Sequence, residues 1–340
     1  MSVQAPSAVV LIRPHRFTPN PLTAADNVFQ VAEGVPSASV AGVAHAAFDE
    51  VTAVAQALDA AGVRVHLFDD EDPDRPDSVF PNNWLSTHAG GHLAVYPMYA
   101  VNRRRERRWD IVEMLKREYR VQDVIDYSGL ELDDVFLEGT GAMVLDHAAR
   151  VAFVARSHRA DPIALERFCT NFGYEPLVFD AVDPHGVPIY HTNVMMGVAT
   201  EFALVGLDLI ASPARREQVV ERLTAHGRTI VDLDYGQVCD FAGNAIELRS
   251  ATGERLLAIS SRAVQSLRSD QLAVIERSCR ILPLDVPTVE LAGGSVRCMI
   301  AGIHLDRRPA TNPPGSLARI GSIIGENRAD PGESVPHQYL

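Results

Sequence analysis

The chain has 340 residues, 46% of them apolar, and a net charge of −13. That acidity gives a nucleic-acid role no electrostatic support, no apolar run approaches the roughly 20 residues of a membrane span, and the N-terminus MSVQAPSAVV lacks the basic flank and long apolar core of a secretory signal. The four cysteines, Cys169, Cys239, Cys279 and Cys298, are too scattered for a zinc site, and the twelve histidines form no HExxH, so neither metal nor cofactor is called for and a reduced, cytoplasmic protein is the expectation.

Val9-Val10-Leu11-Ile12 reads as a short buried strand. A polar loop, about Phe17 to Glu33, exceeds an ordinary connection and has the look of a functional loop. Ser39 to Ala61 has helical periodicity and stops at Gly62; Val63 to Phe68 alternates as a strand. Ser78 to Thr87 and His92 to Tyr96 read as strands joined by Ala89-Gly90-Gly91, followed by a charged helix, Arg103 to Glu118, and a strand, Tyr119 to Ile125. The same order recurs. Val135 to Leu137 and Ala142 to Leu145 precede strand Val151 to Ala155, helix Pro162 to Phe172 and strand Glu175 to Phe179. Val194 to Gly197, strand Phe202 to Val205, helix Pro213 to His226 and strand Thr229 to Leu233 make the next round. Ala245 to Leu248, strand Arg255 to Ile259, helical Ser261 to Arg280 and strand Ile281 to Pro283 make the last. Thr288 to Leu291 and Val296 to Ile303 read as closing strands. Strand-strand-helix-strand thus repeats about five times, with helices roughly 50 residues apart, the mark of a repeat architecture. Residues 1–305 are expected to form one α/β domain, and the Pro- and Gly-rich residues 306–340 an extension. The helices exclude an all-β propeller. The absence of GxGxxG and of single-strand alternation disfavours a doubly wound sheet.

Four stretches are too polar for the strands around them: Asp77-Ser78-Val79-Phe80-Pro81-Asn82-Asn83-Trp84, Leu137-Glu138-Gly139-Thr140-Gly141, Tyr190-His191-Thr192-Asn193, and Gly293-Gly294-Ser295-Val296-Arg297-Cys298. Each opens a repeat or closes the last. In a closed ring these starts would converge, bringing together a thiol, an imidazole and a carboxylate, the set needed for nucleophilic catalysis. Taken singly, each has an ordinary reading: Cys298 as a half-buried cysteine at a strand start, His191 as a strand-end histidine, Asn82-Asn83 as a turn pair, and Arg103 to Arg108 as a solvated helix start.

In this order the motifs resemble the pentein superfamily of guanidine- and ureido-modifying enzymes, which includes arginine deiminase, dimethylarginine dimethylaminohydrolase and amidinotransferases. Within it the resemblance is closest to the bacterial citrulline hydrolases of citrulline-utilisation operons, and it spans about residues 8 to 305. It implies an α/β-propeller of five ββαβ modules in a pseudo-five-fold arrangement around a central active site. Carried over residue by residue, it makes Cys298 the nucleophile, His191 the general acid/base and Glu138 the supporting carboxylate. Asp77 matches a substrate-binding aspartate, and Arg159 an arginine gripping the substrate α-carboxylate. Arg103 or Arg104 is a second such arginine, and the loop with Phe17, Asn20 and Asn27 covers the amino-acid end of the substrate. The family's Glu-Gly-Gly-Asp form reads Glu138-Gly139-Thr140-Gly141 here, so no role passes to Gly141.

Asn83, beside Asn82, stands where guanidine-processing relatives carry an aspartate, and Asn193 stands where arginine deiminase has the aspartate of His-x-Asp. A buried carboxylate suits a cationic guanidinium. An amide can accept from a ureido N–H and donate to a ureido oxygen. The expected reaction is therefore cysteine-dependent hydrolysis of citrulline to ornithine, carbon dioxide and ammonia. An arginine or N-substituted arginine deiminase or dihydrolase is the runner-up. An amidinotransferase and a non-catalytic binding protein of the same fold also remain. The expected partner is a small amino-acid substrate, with no nucleic acid and no membrane; a homo-oligomer is left open.

Overall fold

Hydrogen-bonded pairing sorts the strands into five three-stranded sheets. The structure is a computed structural model that describes residues 3–30 and 40–309. The first sheet joins the two ends of the fold: β15 (Ala301–Gly302) lies antiparallel to β1 (Ala8–Pro14), and β1 runs parallel to β2 (Arg64–Asp70). The others are local. They are β3 (Leu85–His88), β4 (His92–Val95) and β5 (Asp123–Asp126); β6 (Met143–Asp146), β7 (Val151–Ala155) and β8 (Glu175–Phe179); β9 (Met196–Val198), β10 (Phe202–Val205) and β11 (Thr229–Asp232); and β12 (Ile246–Arg249), β13 (Arg255–Ser260) and β14 (Arg280–Leu284).

Every sheet has the same wiring. Its inner strand is antiparallel to the middle strand, and the outer strand is parallel to the middle one. A parallel pair cannot be joined by a tight turn, so a helix crosses over in each case: Val40–Ala60, Trp109–Glu118, Pro162–Phe172, Pro213–Thr224, and in the last sheet two short helices, Ser261–Ser266 and Ser269–Glu276. The sequence sets these helices locally. Asp161 caps the third by accepting from Ile163 N, Pro162 occupies its first turn, and Gly173 ends it at φ 64°. Each helix buries an apolar stripe on its sheet, as Val51, Val54 and Leu58 do on Val9 and Leu11. The inner strands β3 and β6 and the middle strands β7 and β10 are buried at every residue. The inner strands pack side by side, β15 on β3, β6 on β9 and β9 on β12, which is the ring of modules of the pentein fold. Among the described residues no helix is long and apolar enough to cross a membrane.

Several sequence expectations shift in detail, and in one direction. Segments read as inner strands open as a helical turn and then extend. Within Ser78 to Thr87 the chain forms a 3-10 turn at Pro81–Asn83, and the strand begins at Leu85. Thr192–Met195 and Val296–Met299 are helical turns ahead of two-to-three-residue strands, and Pro287–Glu290 is helical where a closing strand was expected. Apolar residues fill both the turn and the strand, so composition does not separate them. The single helix expected over Ser261 to Arg280 is two, parted at Leu267-Arg268. The described residues up to Arg307 belong to one compact unit. The C-terminal extension, residues 31–33 of the polar loop and Ser39 lie outside the described residues, save 306–309.

Neighbouring modules are tied by a buried ion pair. Arg228, ahead of β11, donates to both oxygens of Asp146 at the end of β6, at 2.6 and 2.9 Å, and its Nε donates to Ala199 O at 2.7 Å. Both side chains are at most 2% exposed, so removing one charge strands the other. Arg228→Met is expected to cost about 3–5 kcal/mol, read as a lowered midpoint in chemical denaturation.

Candidate active site

Four of the five inner strands are entered through a helical turn, and each turn carries polar residues at or beside its start: Asn82 and Asn83, Glu138, His191, and Cys298. Because the inner strands surround one axis, these entries meet. Cys298, His191, Asp77, Asn83, Arg103 and Arg159 line a single cavity with Thr23, Asn27, Phe80 and Tyr190. The cavity is tight, about 10 Å³, room for roughly one water.

Glu138 is the hub. It is fully buried. Its Oε2 accepts from His191 Nε2 at 2.9 Å and from Arg159 Nη1 at 3.2 Å, with Arg103 Nη1 at 3.6 Å, and its Oε1 accepts from Tyr99 N at 3.0 Å. Against the desolvation of burial, Arg159, the His191 bond and Arg103 hold the Glu138 carboxyl well below the usual carboxylate range. An ionised carboxylate only accepts, so the His191 proton sits on Nε2 and Nδ1 keeps its lone pair. Burial pushes His191 down to about 4, against the raising effect of Glu138, so the ring is a neutral base near pH 7.

Cys298 Sγ is contacted by two amide groups, Asn193 Nδ2 and Asn244 Nδ2, each at 3.2 Å. Asn244 also holds the cysteine turn: its Oδ1 accepts from the backbone N–H groups of Ser295, Arg297 and Cys298 at 3.2, 3.1 and 3.3 Å.

The opposite side of the cavity is ionic. Arg103 forks onto Glu106 at 3.0 Å and lies 3.4 Å from Asp77; burial pushes the Glu106 carboxyl up to about 8, against the pull of Arg103. Burial also raises Asp77, against Arg103 and a 2.8 Å hydrogen bond donated by Asn20. Arg159 grips Asp26 with both Nε and Nη2, at 3.1 and 2.6 Å. The Asn83 amide oxygen accepts from Arg103 at 3.0 and 3.1 Å, and its nitrogen donates to Asn82 Oδ1 at 3.0 Å.

The loop Glu138-Gly139-Thr140-Gly141 needs both its glycines. Gly139 has φ 45°, and a Cβ there would fall on the carbonyl oxygens of Asn82 and Asn83. A Cβ on Gly141 would run into the Asn83 side-chain amide and come within 2.9 Å of His191 Nδ1. No side chain fits where relatives are read to carry an aspartate.

The sequence matches the family described as N,N dimethylarginine dimethylhydrolase, eukaryotic, over residues 13–305. The chain belongs to this family. No curated protein matches the sequence. Among solved structures, the chain is similar to the substrate-bound N-terminal domain of ArgZ, an arginine dihydrolase from the ornithine-ammonia cycle in Cyanobacteria, with a TM-score of 0.65, 14% identity, and 87% of this chain and 97% of that one covered. It resembles unliganded AgrE with a TM-score of 0.67 and 13% identity, over 89% of this chain and 40% of AgrE. It also resembles a dimethylarginine dimethylaminohydrolase adduct with a TM-score of 0.60 and 14% identity, over 89% and 100% of the two chains.

In this family member Cys298, His191, Asp77, Asn83, Arg103 and Arg159 line the cavity, Glu138, Asn193 and Asn20 stand behind them bonded to His191, Cys298 and Asp77, and Arg104, Phe17 and Asn82 do not reach it. Arg104 turns away from it: consecutive residues of the Val101–Glu106 3-10 helix project in different directions, and Arg104 Nε donates to Met98 O, with Glu131 3.7 Å away. Phe17 is fully buried in the apolar cluster with Leu11, Val51 and Phe80 and is not among the cavity residues. Asn82 is buried behind Asn83, where its backbone O accepts from Thr140 Oγ1. Sequence reasoning gives no role to Asp26 or Glu106, and reads Phe241-Ala242-Gly243-Asn244 equally well as a turn or as part of the site lining. Glu106 had a signal: it is the lone carboxylate in a run of arginines.

Two outcomes test this geometry. Asn244→Asp keeps an oxygen for the three backbone N–H groups but sets a carboxylate against Sγ. Turnover is expected to fall about 10²-fold with the thermal midpoint nearly unchanged. For His191, an unfolded chain takes up a proton near pH 6.5 while the folded ring stays neutral to about 4. Its contribution to stability is present above pH 6.5 and is lost as pH falls toward 4. His191→Asn is therefore expected to reduce the pH dependence of unfolding free energy in that window by about one proton, measured by denaturant titration at a series of pH values.

Proposed function

We propose that the chain is a cysteine-dependent hydrolase of the ureido group of citrulline, giving ornithine, carbon dioxide and ammonia. The observation that carries this reading is the setting of Cys298: its sulfur faces two amide donors, Asn193 and Asn244, in a cavity shared with His191, which is fixed by Glu138. The polar side chains bonded to the sulfur are uncharged. The carboxylates at and behind the cavity wall, Asp77 and Glu138, are already faced by Arg103 and Arg159. A neutral ureido group can be taken up there without adding charge, whereas a guanidinium would need a carboxylate freed for it.

In the proposed sequence the Cys298 thiolate attacks the ureido carbon, and the amide side chains orient the group. His191, having taken up a proton at Nδ1, delivers it to the departing ornithine nitrogen, which leaves a carbamoyl thioester on sulfur. His191 then takes a proton from water as the water attacks the thioester. The thiol is regenerated, and the carbamate released falls to carbon dioxide and ammonia. Arg159 receives the α-carboxylate, an exchange that displaces the Asp26 carboxylate from the guanidinium fork and requires the loop carrying Asp26 to move, since the closed cavity holds little more than a water.

A second reading, arginine dihydrolase, is favoured by the likeness to ArgZ and AgrE, including an ArgZ N-terminal domain covalently bound to a reaction intermediate and a binary AgrE complex with L-arginine. The two differ in stoichiometry. Citrulline hydrolysis yields one ammonia per ornithine and arginine dihydrolysis two; dimethylarginine hydrolysis would give citrulline and an alkylamine. Purified protein supplied separately with citrulline, arginine and N,N-dimethylarginine, with ornithine, citrulline and ammonia quantified, is expected to turn over citrulline at a one-to-one ratio. A kcat/KM for arginine exceeding that for citrulline would overturn the substrate assignment. Cys298→Ser is expected to lose turnover while still binding citrulline by calorimetry; wild-type turnover in that variant would remove the covalent route.

A further inference from the structure

The inner strands have two ends. Each leaves the catalytic cavity behind at its start, and at the other end lies a second, larger cavity of about 430 Å³. Chain order shows the opposition. Glu138 precedes β6 and His147 follows it; Asn244 precedes β12 and Arg249 closes it; Cys298 precedes β15, and Ile303 to Arg307 follow. The N-terminal segment fastens this end together. Gln4 Nε2 donates to Leu145 O and Val198 O, Gln4 Oε1 accepts from His147 N, and Arg249 N donates to Pro6 O.

The charge of this cavity runs against that of the chain. Acidic residues outnumber Lys and Arg by 44 to 31 overall, yet the ionisable lining here is Arg64, Arg249, Arg307, His147 and His304 against one carboxylate, Asp306. Many exposed arginines elsewhere are paired: Arg222 with Glu175, Arg255 with Glu201, Arg262 with Asp240, Arg280 with Glu254. Among the described residues, none of the three cavity arginines lies within ion-pair distance of a carboxylate. An inner chamber of about 40 Å³ continues toward the axis and holds Arg297 beside His147 and His304, whose rings stack at 3.9 Å; the carboxylate on its wall, Glu247, accepts from Thr200 N and Oγ1 and has Arg255 Nε 3.9 Å away. The Arg297 guanidinium donates to Ile300 O at 2.9 Å and has no carboxylate partner among the described residues. Burial lowers it to about 10, and burial with the Arg297 charge lowers His304 to about 4. The deep end thus sets a guanidinium that makes no carboxylate ion pair among the described residues beside two neutral imidazoles, with Glu247 on the wall held by Thr200.

We propose that this cavity is a binding site for a small polyvalent oxyanion, held by Arg64, Arg249 and Arg307 at the mouth and by Arg297 with the two histidines at the inner end. Guanidinium forks match the paired oxygens of phosphate and carboxylate alike, and the size admits more than a single inorganic ion. The site is separate from the catalytic cavity, but the two share one element: the turn Val296–Met299 sends Arg297 into the inner chamber and Cys298 into the catalytic cavity.

The test is isothermal titration of the full chain at low ionic strength with pyrophosphate and, separately, citrate. One saturable site per chain is expected for at least one of them, and the arm that binds more tightly assigns a phosphate or a carboxylate ligand. Reversing the exposed charges in Arg249→Glu/Arg307→Glu is expected to weaken binding about tenfold or more, whereas Arg159→Gln in the catalytic cavity leaves it unchanged. If the double variant does not fold, Arg64→Glu alone is read in the same way. Absence of saturable binding by either anion, indifference to the charge reversals, or loss of binding in Arg159→Gln would each overturn the proposal.

Discussion

A carboxylate taken completely out of water is tolerable only where cations and donors meet it, and the site is organised by that requirement at Glu138. Two arginines from different modules, the His191 imidazole and a backbone N–H converge on its two oxygens. Each partner is fixed by the need to satisfy the same charge, so Glu138 sets the relative positions of elements far apart in sequence. It also decides the state of His191. A neutral ring bonded through Nε2 to an ionised acid presents a bare Nδ1, and Gly141, having no side chain, lets the ring and the Asn83 amide pack against its backbone. The tautomer, the glycine and the hub are one arrangement.

Around that hub the cavity is divided by charge. On the thiol side the donors are amides, Asn193 and Asn244. On the other side four carboxylates, Asp26, Asp77, Glu106 and Glu138, face two guanidiniums, Arg103 and Arg159. Four against two would be poorly balanced were all four ionised. Burial relieves this by raising Glu106 and Asp77 while Glu138 is held ionised. A zwitterionic amino acid entering such a site meets guanidiniums suited to its carboxylate and carboxylates suited to its ammonium, and the amides remain for its uncharged end.

Much of this was legible in the sequence because the fold is a repeat. Five rounds of the same strand and helix pattern are visible in apolar periodicity, and once the rounds are closed into a ring the polar residues at their starts must approach one another. The sequence was less informative where apolar content does not distinguish states. The turns at Thr192–Met195 and Val296–Met299 read as strand because Val, Met and Ile serve both. It also could not assign direction within a run of like residues: Arg103 faces the cavity and Arg104 does not, a difference made by the 3-10 helix and not by residue type. Phe17 sits in a loop with functional character, yet an aromatic there had core to fill. Asp26 went unassigned because it answers Arg159 from another module, a pairing that exists only after the chain has folded; Glu106 answers Arg103 three residues before it, and the run of arginines did not show which one turned inward.

The inner strands connect these observations to the other end of the molecule. A ring of short strands around an axis has two mouths, and side chains that precede and follow one strand point to opposite ends of it. Catalytic geometry accounts for the residues at one mouth. It does not account for the lack, among the described residues, of a carboxylate ion-paired with Arg64, Arg249, Arg297 or Arg307 at the other. Placing an arginine on the same helical turn as the cysteine carries a desolvation cost, visible in the lowered Arg297, that a structural role would have offset with an acid, as Asp146 does for Arg228. Within the described residues that offset is missing at Arg297, which is the physical reason for assigning the missing charge to a bound anion.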